Sequence, residues 1–135
     1  MTTTLNLDPL AEDLISIENR VLDSVLGVCL IFKEPVVFRN MVIGQANFYE
    51  SFFKKGLLVS NCVIGNVIFE SAGHNDEPIV FENTVFTGDV NFFDAYFTSD
   101  IVIRNCLFVK PNSILEDIAY PYGVEKKEYL KIESK

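Results

Sequence analysis

The chain is poor in the groups that catalysis and metal binding need. Its 135 residues hold one His, His74, and three Cys, at Cys29, Cys62 and Cys106. His74 stands beside Asn75, Asp76 and Glu77, but no second ligand follows at a metal-binding spacing. There is no nucleophile–His–acid set, no glycine-rich phosphate loop and no CxxC. The expectation is a protein without cofactor, metal or enzymatic activity. No apolar run is long enough to cross a bilayer, and MTTTLNLDPL lacks the features of a signal peptide. Positive charge is also scarce: 11 Lys and Arg against 19 Asp and Glu give a net charge of −8. That balance argues against direct contact with nucleic acid or an anionic membrane, and favours a basic protein partner or simple solubility. The odd number of thiols suits a reducing cytoplasm.

Phenylalanine, by contrast, is abundant and regularly placed. The bulky apolar positions run Phe32, Phe38, Ile43, Phe48, Phe53, Val59, Ile64, Phe69, then His74 in apparent register, then Phe81, Phe86, Phe92, Phe97, Ile103 and Phe108. Steps of five to seven residues match neither a helix nor a lone strand. A second period of 21 or 22 residues links Phe38, Val59, Phe81 and Ile103, and likewise Ile43, Ile64, Phe86 and Phe108. Fixed periods of this length indicate a repeat architecture. Stacked coils would bring each column into register at strand spacing, ~4.8 Å.

The residues two places earlier form a smaller inward layer, because alternate residues of a strand share a face. They include Val36, Leu57, Ile79 and Ile101, then Met41, Cys62, Thr84 and Cys106. Cys62 and Cys106 lie two coils apart, ~10 Å, too far for a disulfide. Cys29 should face outward, with nothing beside it to activate the thiol. Asn40, Asn61, Asn83 and Asn105 recur in the same register. Asn tolerates left-handed corners, and stacked Asn side chains can bond along a ladder.

The segments ANFYESFF, IVFENTVFTG and DVNFFDAYFTSD resemble the Phe-rich branch of the pentapeptide-repeat family over about residues 36–109. The resemblance implies an all-β repeat, a right-handed four-sided β-helix. An antiparallel sandwich of short strands is the alternative. With the columns, this gives about three and a half coils over residues 28–110 in one domain of 1–135.

Before the coils, Asp8-Pro9 reads as a helix start, and Leu10, Leu14, Ile17, Val21 and Val25 follow helical spacing up to Gly27. Residues 8–27 are therefore expected to form a helix that caps the stack or binds a partner. Residues 111–135 are expected to supply a short C-terminal cap, with a helix at 113–119, and a charged tail. In that tail Tyr129, Leu130 and Ile132 could dock.

Two surfaces stand out. Val37, Leu58, Val80 and Val102, with Val42, Val63, Val85 and Leu107, should face outward and make an aliphatic wall. Such a wall needs cover from the chain's own ends, from a second copy in a homodimer, or from a partner. From Gly56 to Ile103 there is no Lys or Arg. Asp76, Glu77, Asp94 and Asp100 fall near corners there, with Phe52, Phe93 and Tyr96 exposed nearby. That corner is either a solvated acidic face or a docking surface for a basic protein, with the aromatics as anchors. The functional expectation is a protein-binding module, such as an inhibitor or immunity-type protein masking a basic nucleic-acid-binding enzyme. The alternative is a structural, self-assembling β-helix. The resemblance also implies topoisomerase-directed DNA mimicry, but three and a half coils span only ~17 Å.

Overall fold

The computed structural model describes residues 3–110 and 130–133. The described residues form a parallel β-solenoid of about five turns with almost no helix. One sheet stacks Ile15–Glu18, Val36–Arg39, Leu57–Ser60, Ile79–Glu82, Ile101–Arg104 and Leu130–Glu133. A second runs from Thr4–Asn6 through Val21–Leu26, Val42–Asn47 and Val63–Ile68 to Val85–Phe86 and Leu107–Phe108, with Val90–Asn91 also paired to Val63–Ile68. A third pairs Ile31–Phe32 with Phe52–Phe53. The periods of 21 and 22 set the register: Phe38 pairs with Val59, Val59 with Phe81, and Phe81 with Ile103.

The Asn residues turn one corner of every coil. Asn40, Asn61, Asn83 and Asn105 have φ of 55°, 55°, 50° and 53°, the left-handed conformation that Asn accepts. Asn19, at φ 60°, adds a fifth member. Backbone bonds stack them: the Asn40 N–H donates to the Ser60 carbonyl at 3.1 Å and that of Asn83 to the Arg104 carbonyl at 3.0 Å. Among the described residues, a side-chain link appears only where Asn105 Nδ2 donates to Asn83 Oδ1 at 2.8 Å.

Residues 8–27 do not form the expected helix. Only Asp8–Leu10 is helical, as one 3-10 turn, and Ile15–Glu18 and Val21–Leu26 are strands. Ile17 pairs with Phe38, Leu22 with Ile43 and Val25 with Ala46, so this segment is a further coil. That is why three and a half coils undercounts the stack. Part of the helical stripe is outward: Leu14 is 62% and Val21 75% exposed. The buried residues Ile15, Leu22 and Val25 lie seven and three apart, a spacing that a helix also satisfies. The β-branched residues here suit a strand, and pairing to the next coil outweighs the local pattern. Gly27 is a core residue, not a stop. A Cβ there would lie 3.0 Å from the Phe32 ring and 3.1 Å from that of Phe48.

The interior is a Phe column with one correction. Phe32, Phe53, Phe69 and Phe97 stack with centroids 4.9, 5.4 and 5.9 Å apart and planes within 19°, 8° and 15°. His74 does not hold the column position assigned by register. Its φ of 49° turns it outward, and Asn75 takes the inward place, fully buried. Asn75 is too short to fill a Phe slot, and the Phe69 ring lies across the gap.

A tight corner divides the second sheet. A Cβ on Gly44 would lie 2.5 Å from the Asp23 carbonyl oxygen, and one on Gly65 2.2 Å from that of Gly44. Only glycine allows backbones to approach so closely. At the C-terminal end, Leu130–Glu133 docks on the first sheet as its last strand, with Ile101 paired to Leu130 and Ile103 to Ile132. Arg104 Nε reaches Glu133 at 2.9 Å and its Nη1 reaches Glu82 at 3.2 Å. The expected helix at 113–119, and Tyr129, lie outside the described residues.

Candidate partner-binding surfaces

Corners and outward columns repeat once per coil, so the solenoid fixes which side chains are neighbours. The four acidic residues singled out in the sequence fall at two corners. Asp94, with φ 59°, continues a corner column of Cys29, Glu50 and Ser71, at φ 56°, 54° and 56°. Backbone bonds stack it: Glu50 N–H to the Glu70 carbonyl at 3.0 Å, and Ser71 N–H to the Phe93 carbonyl at 3.0 Å. Phe93, 64% exposed, precedes Asp94.

Asp76, Glu77 and Asp100 occupy the next corner. The Asp76 N–H donates to the Lys54 carbonyl at 3.1 Å, and the Ile79 N–H to the Asp100 carbonyl at 2.9 Å. Lys54 and Lys55 thus stand one coil below Asp76 and Glu77. Asp100 pairs with Lys131 Nζ at 2.8 Å. This corner carries both signs along the stack, whereas the column of Cys29, Glu50, Ser71 and Asp94 holds no cation.

Between the two corners lies an aromatic ladder. His74 sits between Phe52, centroids 4.2 Å apart, and Tyr96, 5.5 Å apart. All three are half-buried and face outward, and Ile31 pairs with Phe52 to extend the column. Burial first, and then the Lys54 ammonium, hold the His74 imidazole below the ordinary histidine value. Tyr49 and Glu70 border the ladder on the Glu50 side. The Glu50 carboxylate, through its hydrogen bond and charge, raises the Tyr49 phenol above the ordinary tyrosine value. Asn91 Nδ2 donates to Glu70 Oε1 at 3.0 Å.

Phe52, Phe93 and Tyr96 were legible as surface aromatics. Glu50 and Tyr49 were missed, because they precede the Lys- and Arg-free stretch that drew attention. Their signal was available: Glu50 stands two residues before Phe52, as Asp94 stands two before Tyr96.

The aliphatic wall divides by exposure. On the first sheet Val37, Leu58 and Val80 are half-buried and Val102 is buried. On the second, Val42 is 47%, Val63 40% and Leu107 57% exposed, with Val85 half-buried. Val21, read beforehand as part of a helix, pairs with Val42 and lengthens this stripe.

The three cysteines are free thiols. Desolvation by burial pushes Cys62 and Cys106 above the ordinary cysteine value. Cys29 is exposed, with Sγ 3.7 Å from Glu50 Oε2; partial desolvation and then that carboxylate raise its thiol too. A raised thiol is the opposite of an activated nucleophile. Among the described residues, no three of His, Cys, Asp and Glu converge as metal ligands, and no helix is long and apolar enough to cross a membrane. No protein family, curated protein or solved structure matches this chain.

Proposed function

We propose that this chain is a non-enzymatic, cytoplasmic binding module that holds a basic protein partner against its acidic and aromatic side. The observation that carries this reading is the exposed Phe93 next to Asp94, with Tyr96 two residues on, in a stack that keeps all three in fixed columns. A rigid surface loses little conformational entropy on binding, and aromatic anchors ringed by charge are the usual core of a tight interface. Masking a basic nucleic-acid-binding enzyme is one concrete form. We further infer a four-sided, right-handed coil of the pentapeptide-repeat kind. The two left-handed corner columns support it, those led by Asn19 and by Cys29.

The test is capture from a source-cell lysate followed by reconstitution with the purified partner. A basic protein should bind the wild type, dissociate as salt rises, and fail to bind when Asp76, Glu77, Asp94 and Asp100 are changed to Lys. A partner that is not basic, and that tolerates the four changes, would end this reading.

A structural, self-assembling role is the second reading, supported by the exposed stripe of Val21, Val42, Val63 and Leu107. Sedimentation equilibrium separates the two: a concentration-dependent oligomer that Val63→Glu dissolves would favour self-assembly. DNA mimicry is less well supported, since about five turns span only ~24 Å at strand spacing.

A further inference from the structure

The inward column of the first sheet is closed in the middle and open at both ends. Phe38, Val59, Phe81 and Ile103 follow one another in register and are 2 to 4% exposed. Ile132, paired to Ile103 as the last member, is 50% exposed, and Ile17, paired to Phe38 as the first, is only half-buried. Both belong to the core by column, and each lacks a neighbour on one side. Among the described residues, no strand of this sheet lies before Ile15–Glu18 or beyond Leu130–Glu133.

The backbone is open at the same two places. In a parallel ladder one residue sends its N–H and C=O to one neighbouring strand, and the next residue to the other. Ile15 and Asn19 donate to the Pro35 and Arg39 carbonyls, so Ser16 and Glu18 point their groups away from the stack. The Asn105 N–H donates to the Glu133 carbonyl at 2.7 Å, so Glu133 faces the stack and Ile132 faces away. Such an edge is a template for another strand. The two edges are complementary: in parallel register the Ile132 N–H donates to the Ser16 carbonyl of a second copy, and the Ile132 carbonyl accepts from that copy's Glu18 N–H. Ile132 then covers Ile17 and closes the column. The ends also carry matching steps. Thr4–Asn6 in the second sheet lies one rung before Ile15–Glu18, and Leu130–Glu133 in the first lies one rung after Leu107–Phe108. A foreign strand would cover one edge and leave the other; a second copy supplies each end with what it lacks. One contact opposes the junction. Glu133 comes to lie over Glu18, whereas within the chain Arg104 separates Glu82 from Glu133.

We propose that copies of this chain stack end to end, the Ile15–Glu18 edge of one on the Leu130–Glu133 edge of the next, into an open-ended continuous solenoid. The interface is head-to-tail, so it propagates instead of closing as a dimer. The proposal rests on the self-assembly reading above and moves it from the valine stripe to the ends of the stack.

Sedimentation velocity of the full chain over a range of protein and NaCl concentrations tests it. The expected result is a series of species that grows with concentration and with salt, because salt screens Glu133 from Glu18. A complex with a basic partner responds to salt in the opposite sense. Glu18→Gln should strengthen each junction about 2- to 5-fold at low salt, since it removes one of two like charges set directly opposite. Ile132→Glu blocks one end and Ser16→Pro the other, the proline removing an N–H that has no ladder partner among the described residues. Ser16→Lys, which sets a like charge against Lys131, takes its place if the proline unfolds the chain. Each blocked variant should be a folded monomer by thermal melt, and an equimolar mixture should form a dimer and nothing larger. A mixture of folded variants that stays monomeric would overturn the proposal. So would an assembly that survives both end variants but is lost on Val63→Glu, which would leave the stripe as the self-assembly surface. A wild type that stays monomeric at every concentration and salt would overturn both.

Discussion

The ring of Phe69 lies parallel to that of Phe53, 5.4 Å away and within 8°, although the two come from different columns of the repeat. Phe69 also contacts Phe48, Phe81, Phe92 and Phe97. It is the keystone of the interior because no Phe stands at the inward position of the coil that contains Asn75. Phe69→Ala should cost ~3–5 kcal/mol, the range for an aromatic truncated in a packed core. Chemical denaturation measures it; a loss under ~1 kcal/mol, typical of a surface change, would mean that the stack does not hold the core.

Asn75 is the polar counterpart of that relationship. Its Nδ2 donates to the Glu77 carbonyl at 2.9 Å and to the Asp100 carbonyl at 3.2 Å, and its Oδ1 accepts from the Thr98 N–H at 3.1 Å. Asn75→Ala removes these partners in a buried site and should cost ~1–3 kcal/mol or more. Asn75→Phe, which restores the repeat pattern on paper, should also destabilise, because Phe69 already occupies the space. A stabilised Asn75→Phe would contradict the packing described here.

Gly65→Ala tests the close approach at the corner of the second sheet. The new Cβ would sit 2.2 Å from the Gly44 carbonyl oxygen, and backbone cannot yield as a side-chain end can. The expected cost is at least ~1–3 kcal/mol, as for overpacking a tight site. A neutral result in thermal melts would show that the coils are farther apart than this.

His74 gives a pH dependence of known sign. Its folded value is lowered from 6.5, so the folded state favours the neutral ring. The associated stability is fully present above the unfolded value and is lost as pH falls from there through the folded value. His74→Gln should therefore flatten the fall in melting temperature below pH 6.5. A variant whose melting profile follows the wild type throughout would remove the link.

Much of the fold was legible because a solenoid repeats one rule: the spacing from Phe38 to Ile103 states the strand register directly. Its failures have a common cause. Residues 8–27 place Ile15, Leu22 and Val25 inward where later coils use Phe in part, and their spacing of seven and three also satisfies a helical stripe. His74 was placed by counting, and the count slipped where the chain adds a residue at a corner and Asn75 turns inward. Gly44 and Gly65 recur in coil register as plainly as the Asn residues, yet the close backbone contact they permit exists only once coils are stacked. Among surface residues, column membership was readable for Phe93, Tyr96 and Asp94. The mixed charge at Asp76 and Glu77 was not, because it depends on Lys54 and Lys55 one coil away.

The central claim is that residues 15–108 form one continuous parallel stack. Backbone proton contacts in solution NMR test it most directly, at the pairs Ile17–Phe38 and Leu22–Ile43. Long-range contacts at both pairs, with extended-strand patterns over 15–18 and 21–26, are the predicted result. An unbroken run of sequential amide–amide contacts over 9–26, the mark of a helix, with neither long-range pair present, would contradict it.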